Sequence, residues 1–126
     1  MPGSVLAVSP DGLRPGATTP GVTRELALET GAAAVMRARA QAGARSGWHH
    51  HGARDVLGYV VVGSARFEFG PGGTDSVDVG TGGFFHVPAG LVHRDVNPLD
   101  SPQEIVMTVV GSGPLVVSVD GPDDAA

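Results

Sequence analysis

Residues 82–97 read GGFFHVPAGLVHRDVN, and this stretch decides the fold that we predict for the chain. An apolar run follows the glycine pair and ends at Pro88-Ala89-Gly90, a pattern typical of a short strand that leads into a tight turn. His93 then opens the next predicted strand. A turn followed by an inward-pointing histidine is how the mouth of a β-barrel would present a metal ligand.

Short strands are predicted on both sides of this stretch. The chain has 126 residues, and its 20 Gly and 10 Pro favour many short strands over long helices. The predicted strands are V56-L-G-Y-V-V-V62, A65-R-F-E-F69, S76-V-D-V79, F84-F-H-V87, H93-R-D-V96, I105-V-M-T-V-V110 and L115-V-V-S-V119. Their spacing of roughly 8–12 residues predicts an all-β sandwich or barrel.

The segment from Glu25 to Ala42 is ambiguous. Its Ala, Glu and Arg content favours a helix by propensity, but Gly31 interrupts it. Residues 36–41, MRARAQ, alternate with a period of two, as a half-buried strand does. We therefore predict two strands here. The strand-rich residues 23–120 form a single domain in this interpretation, with an N-terminal arm at 1–22 and a frayed tail at 121–126.

Composition excludes several classes of partner. The formal charge of −5 argues against a nucleic-acid surface, which would need a basic patch. No apolar window is long enough to span a membrane, and the N-terminus lacks the pattern of a secretion signal. The chain has no cysteine, which excludes disulfides and thiolate metal sites, and we expect a cytoplasmic location by default.

Three histidines are adjacent in the sequence, His49 to His51, and such a cluster suggests a chemical role. Residues i and i+2 of a strand share a face, so His49 and His51 project together while His50 points away. Two imidazoles side by side form half of a site for a divalent metal ion. The candidates for further ligands are Asp55, His86 and His93.

The spacing of these residues resembles the two motifs of the cupin family. The second motif reads G, five residues, P-x-G, two residues, H, three residues, N. This chain matches every position, with Gly82, Pro88, Gly90, His93 and Asn97. The resemblance implies a double-stranded β-helix, or jelly-roll barrel, over residues 23–120.

The first cupin motif reads G, five residues, H-x-H, three or four residues, Glu, six residues, G. Gly43, the triple histidine and Gly63 fit this pattern, but the acid departs from it. Asp55 fits the gap counted forward from the histidines, whereas Val56 occupies the position counted backward from Gly63. Either a bulge re-aims Asp55 inward, or the site has three histidines and no carboxylate. We predict Asp55 as the fourth ligand.

The resemblance implies one mononuclear divalent metal ion bound by His49, His51 and His93. Fe(II) is the favoured ion, although such a ligand set also accepts Mn, Ni, Cu, Co or Zn. His86 is the candidate for acid–base catalysis, and its alternative role is that of a strand histidine with a hydrogen-bond partner.

Three function classes stay open on the sequence alone, because barrels of this kind host many chemistries. We favour a metal-dependent enzyme with oxygenase-type chemistry on a small organic molecule. The alternatives are a non-redox isomerase, lyase or cyclase and a non-catalytic ligand-binding domain. We also expect a homodimer, because the edge strands of a short barrel need cover.

Overall fold

The computed structural model describes residues 3–122. Within them the chain forms short β-strands, with one-turn 3-10 helices at Pro10–Gly12 and Pro71–Gly73. The strands are β1 (Arg14–Pro15), β2 (Val22–Glu29), β3 (Ala33–Ala40), β4 (His49–His50), β5 (Asp55–Val62), β6 (Ser64–Phe69), β7 (Asp75–Gly80), β8 (Phe84–Val87), β9 (His93–Val96), β10 (Gln103–Val110) and β11 (Val117–Ser118).

The strands form two antiparallel sheets. One sheet has the order β1-β2-β3-β10-β5-β8, and the other has the order β11-β4-β9-β6-β7. The inner faces of both sheets supply one core, because β3, β5 and β10 alternate buried and more exposed residues along their length. The fold is therefore all-β, the double-stranded β-helix that the resemblance implied.

The ambiguous segment forms the antiparallel pair β2 and β3, which confirms the prediction of two strands. Alternate residues of β3 are buried while Arg37 and Arg39 lie on the other face, where they form ion pairs with Glu25 and Glu104. Strand pairing thus overrides the helix propensity of the Ala and Glu residues, because alternation of burial suits a half-buried strand.

Packing of small and branched side chains fills the space between the sheets. The central cluster consists of Met36, Ala38, Val56, Val60, Ala65, Phe67, Val87, Ile105, Met107 and Val109. All are less than a tenth exposed, so the barrel interior is predominantly apolar.

Two predicted strands are shorter in the structure. The triple-histidine strand is only β4, and it pairs with β9 at a single position, His49 opposite His93. It ends because the chain turns at Gly52, whose φ of 61° lies in the left-handed region. The predicted strand 115–119 is reduced to β11, which pairs with β4.

The predicted arm and tail are only partly tested. Within the arm, β1 pairs with β2 and lies at the edge of the six-stranded sheet. Of the tail, residues 123–126 lie outside the described part of the chain. No helix among residues 3–122 is long and apolar enough to cross a membrane.

Asn97 closes the second motif as a structural residue. Its side chain is almost fully buried and donates hydrogen bonds to the backbone oxygens of Gln41 and Ser101, while Leu99 N donates to its Oδ1. These bonds fix the loop between β9 and β10, in agreement with the turn geometry that asparagine favours.

Two valines of β5 test the position of the core. Val60 is fully buried and Val62 is about half exposed. Val60→Ala should lower the free energy of unfolding by about 1.5–3 kcal/mol, because it removes buried methyl groups and leaves a cavity. Val62→Ala, the same substitution on the same strand, should change it by less than about 0.5 kcal/mol. Urea denaturation measures both, and equal losses would contradict this assignment of the core.

Candidate metal centre

Three imidazoles converge inside the barrel. His49, His51 and His93 are all buried, and each offers a ring nitrogen that lies within 4.8 Å of those of the other two. The ring centroids are 4.4 Å apart for His49 and His93, 5.1 Å for His51 and His93, and 5.3 Å for His49 and His51. The structure therefore brings together the three histidines that the resemblance implied as ligands.

Backbone carbonyls orient all three rings. The Nδ1 atoms of His49, His51 and His93 lie 2.8, 2.7 and 2.9 Å from the backbone oxygens of Gly47, Leu115 and Leu91, respectively. A carbonyl oxygen can only accept, so each Nδ1 carries the hydrogen, and each neutral ring keeps the lone pair on Nε2. An anchored Nδ1–H with a free Nε2 is the usual state of a histidine that binds metal.

Burial keeps two of these rings neutral. Desolvation lowers the pKa of His51 from 6.5 to about 4 and also lowers that of His49, because burial penalises the charged form of the imidazole. Neutral imidazole is the form that binds a metal ion, so both residues are ready to do so near pH 7.

Local turns place the three ligands. The turn at Gly52 lets the chain leave β4 directly after His51, and Gly90, with a φ of 75°, closes the turn that precedes β9. The loop that carries Leu115 is held by the buried guanidinium of Arg54, which donates to the backbone oxygen of Gly113 at 3.0 Å.

The structure places Asp55, the fourth ligand that we predicted, outside the cluster of three imidazoles. Its carboxylate accepts hydrogen bonds from His86 Nε2 at 2.8 Å and from Ala89 N at 3.2 Å, and its side chain is half exposed. The reason is strand alternation: Val56 takes the inward position on β5, so its neighbour Asp55 points outward. No bulge at the start of β5 re-aims Asp55, which stays in register with Val110.

A different carboxylate approaches the cluster. Asp95 lies two residues after His93 on β9, and its oxygens are 3.5 Å from Nε2 of both His49 and His93. It also accepts a hydrogen bond of 2.8 Å from Nη2 of Arg24, a guanidinium that is only 1% exposed. Asp95 was not among the predicted ligands, although residues i and i+2 of a strand share a face and Asp95 lies two residues after His93.

The electrostatics around Asp95 favour its charged form. Burial on its own would raise the pKa of this carboxyl, but the neighbouring imidazoles of His93 and His49 and the guanidinium of Arg24 outweigh burial and lower it. Asp95 is therefore a carboxylate near pH 7.

A cavity of about 440 Å³ opens beside His93. Its walls are mostly aromatic and aliphatic, and its polar contributions come from His86 and His93. The lining residues are Phe67, Phe69, Val77, Val79, Phe84, Phe85, His86, Val87, Pro88, Leu91 and His93. An apolar pocket with a few convergent polar groups is typical of a small-molecule site.

His86, the predicted acid–base residue, forms a pair with Asp55 at the wall of this cavity. Its Nε2 donates to Asp55, which leaves Nδ1 as the free nitrogen of a neutral ring. The hydrogen bond from His86 is also the main reason why the pKa of Asp55 is lowered. The structure thus gives His86 the hydrogen-bond partner that was its alternative role, and it also brings His86 to the cavity.

Removal of one imidazole tests the metal site. Wild-type protein purified without chelator should carry about one divalent ion per chain, and His51→Ala should carry almost none, because two nitrogens are too few for stable binding. Metal analysis with circular dichroism checks both content and fold. His50→Ala is the control, because His50 lies outside the cluster, and it should keep its metal. A full complement of metal in His51→Ala would contradict the site.

The lowered pKa of His51 predicts how stability depends on pH. In chelator-treated protein the unfolded chain binds a proton at His51 near pH 6.5, whereas the folded chain resists protonation until about pH 4. The free energy of unfolding should therefore fall as pH drops through this window. In His51→Gln the free energy of unfolding should change less steeply with pH, because the unfolded chain then binds up to about one proton fewer relative to the folded chain. Urea denaturation between pH 7 and 5 measures it, and identical slopes would contradict the prediction.

Solved structures share this fold at low sequence identity. A double-stranded β-helix protein from Klebsiella pneumoniae is 21% identical, with a TM-score of 0.71, and the match covers 94% of this chain and 99% of that one. The polyketide cyclase RemF from Streptomyces resistomycificus is 17% identical, with a TM-score of 0.75 and coverage of 96% and 89%. An oxalate oxidase in complex with glycolate is 22% identical, with a TM-score of 0.69, and the match covers 82% of this chain but only 57% of the oxidase.

Sequence comparison identifies the family. A search of curated proteins finds no match. The family model described as the cupin domain matches residues 36–110, which include all three converging histidines and both motifs from His49 to Asn97. The chain therefore belongs to the cupin family.

Proposed function

We propose that this cupin is a metal-dependent enzyme that acts on a small organic molecule, with oxygenase-type chemistry favoured. One observation carries the proposal: three buried, backbone-anchored imidazoles direct their Nε2 atoms to a common point beside a mostly apolar cavity. A purely structural barrel would not need polar rings in its interior, because buried polar groups cost free energy unless they are satisfied.

The donor set fits a divalent transition metal. Three neutral nitrogens suit Fe(II), which we favour, and also Zn, Cu, Ni, Co and Mn, since metal supply decides among them. Such an ion would supply Lewis acidity and open coordination positions, and a redox-active ion would also supply dioxygen chemistry. The chain's own contribution is to hold the rings neutral and fixed.

The cavity defines the class of substrate. Its wall of Phe67, Phe85 and Leu91 suits the apolar body of a small molecule, and His93 supplies a polar group to the cavity. An enol, phenol or carboxylate oxygen on the substrate would reach toward the imidazoles. We therefore propose an enolisable or phenolic substrate of a size that fits about 440 Å³.

His86 is placed to move a proton at the cavity wall. Asp55 accepts from His86 Nε2, so it fixes the ring and stabilises the imidazolium that would form when Nδ1 takes a proton. This pair favours the second candidate, a non-redox isomerase, lyase or cyclase. The fold itself accommodates both, since the structures that share it include a polyketide cyclase and an oxalate oxidase.

Location and assembly stay predictions. We propose the cytoplasm and a homodimer that pairs through edge strands, of which β8 and β7 each end a sheet. An unpaired strand edge offers hydrogen-bonding groups to a second copy of the chain.

Oxygen consumption tests the favoured chemistry. The Fe(II)-loaded protein should consume dioxygen with at least one member of a panel of diketones, catechols, thiols and hydroxy acids, and the zinc-loaded protein should not. The reason is that dioxygen needs a redox-active ion as well as an open coordination position. An oxygen electrode with anaerobically reconstituted protein makes the measurement, and Fe(II)-reconstituted His51→Ala controls for free iron.

Other results of this experiment would favour the non-redox enzyme or the ligand-binding domain. Turnover by the zinc form without oxygen would replace the oxygenase proposal with the non-redox one, and His86→Gln should then lower kcat by about 10²–10⁴-fold as expected for loss of general acid–base catalysis. Tight ligand binding with no turnover in any metal form would favour a ligand-binding domain.

A further inference from the structure

We propose that Asp95 is a fourth protein ligand of the metal ion and that the buried guanidinium of Arg24 holds its carboxylate in place. This inference rests on the proposed metal site. It gives the site a carboxylate from β9, the strand of the second motif, in place of the acid that the first motif lacks.

Donor spacing supports ligation. Asp95 Oδ2 is 3.5 Å from His49 Nε2, and Asp95 Oδ1 is 3.5 Å from His93 Nε2. Two donors that each lie about 2.0–2.2 Å from one ion are themselves separated by about 3.0–3.5 Å at the angles of tetrahedral or octahedral sites. Oδ2 therefore has the separation from His49, and Oδ1 the separation from His93, that two donors on a shared ion would have.

The separation between the carboxylate and the imidazoles exceeds that of an ordinary hydrogen bond. Asp95 lies 3.5 Å from Nε2 of both His49 and His93, whereas N–H···O hydrogen bonds in proteins span about 2.7–3.2 Å. The Nδ1 atoms of both rings are bonded to backbone carbonyls, so it is Nε2 of each ring that faces the carboxylate. A divalent ion between these atoms would bind both kinds of donor.

Arg24 determines which oxygen is available. Its Nη2 donates to Asp95 Oδ2 at 2.8 Å, and its Nη1 donates to Thr19 Oγ1 at 3.1 Å, so the guanidinium is fixed at both ends. Oδ1, the oxygen nearer to His93, has no bond to Arg24 and remains free to bind the ion. The backbone of Asp95 is also fixed, because its N–H donates to Ser46 Oγ at 2.8 Å.

A fourth protein ligand changes what the ion can accept. Three imidazoles and one carboxylate leave two positions on a six-coordinate ion instead of three. Two positions hold one bidentate substrate, or one substrate oxygen together with dioxygen. The carboxylate also offsets the positive charge of Arg24, whose Nη2 donates a long hydrogen bond of 3.5 Å to His49 Nε2 and would give up that contact when the ion binds.

The test compares Asp95 with Asp55, the aspartate that the sequence predicted as a ligand. Asp95→Ala and Asp95→Asn should weaken Co(II) affinity by about 100-fold or more, a larger loss than groups that only orient ligands usually cause. Asp55→Ala and Asp55→Asn are the matched controls and should leave affinity within about threefold, because Asp55 bonds to His86 and Ala89 and not to the imidazoles. Isothermal titration with Co(II) measures the dissociation constants.

A spectroscopic readout separates ligation from positioning. Loss of a carboxylate ligand should change the visible ligand-field spectrum of the Co(II)-loaded protein in the Asp95 variants and not in the Asp55 variants. Asp95→Asn keeps a hydrogen-bonding group near Arg24, so it serves if Asp95→Ala fails to fold by circular dichroism.

Two results would overturn the inference, and they differ from failure of the site itself. Wild-type affinity in Asp95→Asn would refute it, as would weaker affinity with an unchanged spectrum, provided that His51→Ala still loses its metal. If His51→Ala binds Co(II) like the wild type, the proposed metal site fails, and the inference fails with it.

Discussion

The site depends on three imidazoles that are held in fixed orientations inside an apolar barrel. A buried polar ring is tolerated only when its hydrogen-bonding groups are satisfied, and here three loop carbonyls, of Gly47, Leu91 and Leu115, take the Nδ1 hydrogens. The opposite nitrogens thereby face the cluster, where that of His49 also lies 3.5 Å from Nη2 of Arg24. Loops as well as strands therefore define the centre, and a shift in any of the three loops would turn a ring away.

Strand alternation decides which carboxylate faces the three imidazoles. On β5 the inward position belongs to Val56, so Asp55 lies on the outer side and binds His86. On β9 the inward position of His93 recurs two residues later at Asp95. A displacement of one residue would exchange the two faces, which is why the register of each strand controls the chemistry of the barrel.

The fold could be predicted from the sequence because its signals are local. These signals are the second motif, the turn residues and the period-two pattern of residues 36–41. The i, i+2 spacing of His49 and His51 and the second motif, which contains His93, likewise predicted which rings converge. The outward position of Asp55 was not predicted, because counting along one motif cannot show which face β5 presents. The Arg24–Asp95 pair joins strands of different sheets across 71 positions of sequence, and no local pattern indicates such a contact.

The two aspartates, Asp95 and Asp55, place negative charge at two separate positions. Asp95 lies at the converging imidazoles beside a fully buried guanidinium, where its charge can balance a bound cation. Asp55 lies at the half-exposed wall, where exchange of protons with solvent is easy and where it fixes His86. The mostly apolar cavity extends between His93 and His86, so a substrate anchored at the metal end would present its far side to the histidine that can accept a proton. In the proposed function, chemistry at the metal ion would therefore take place in the interior and proton transfer at the wall, with Phe67 and Phe85 lining the cavity between them.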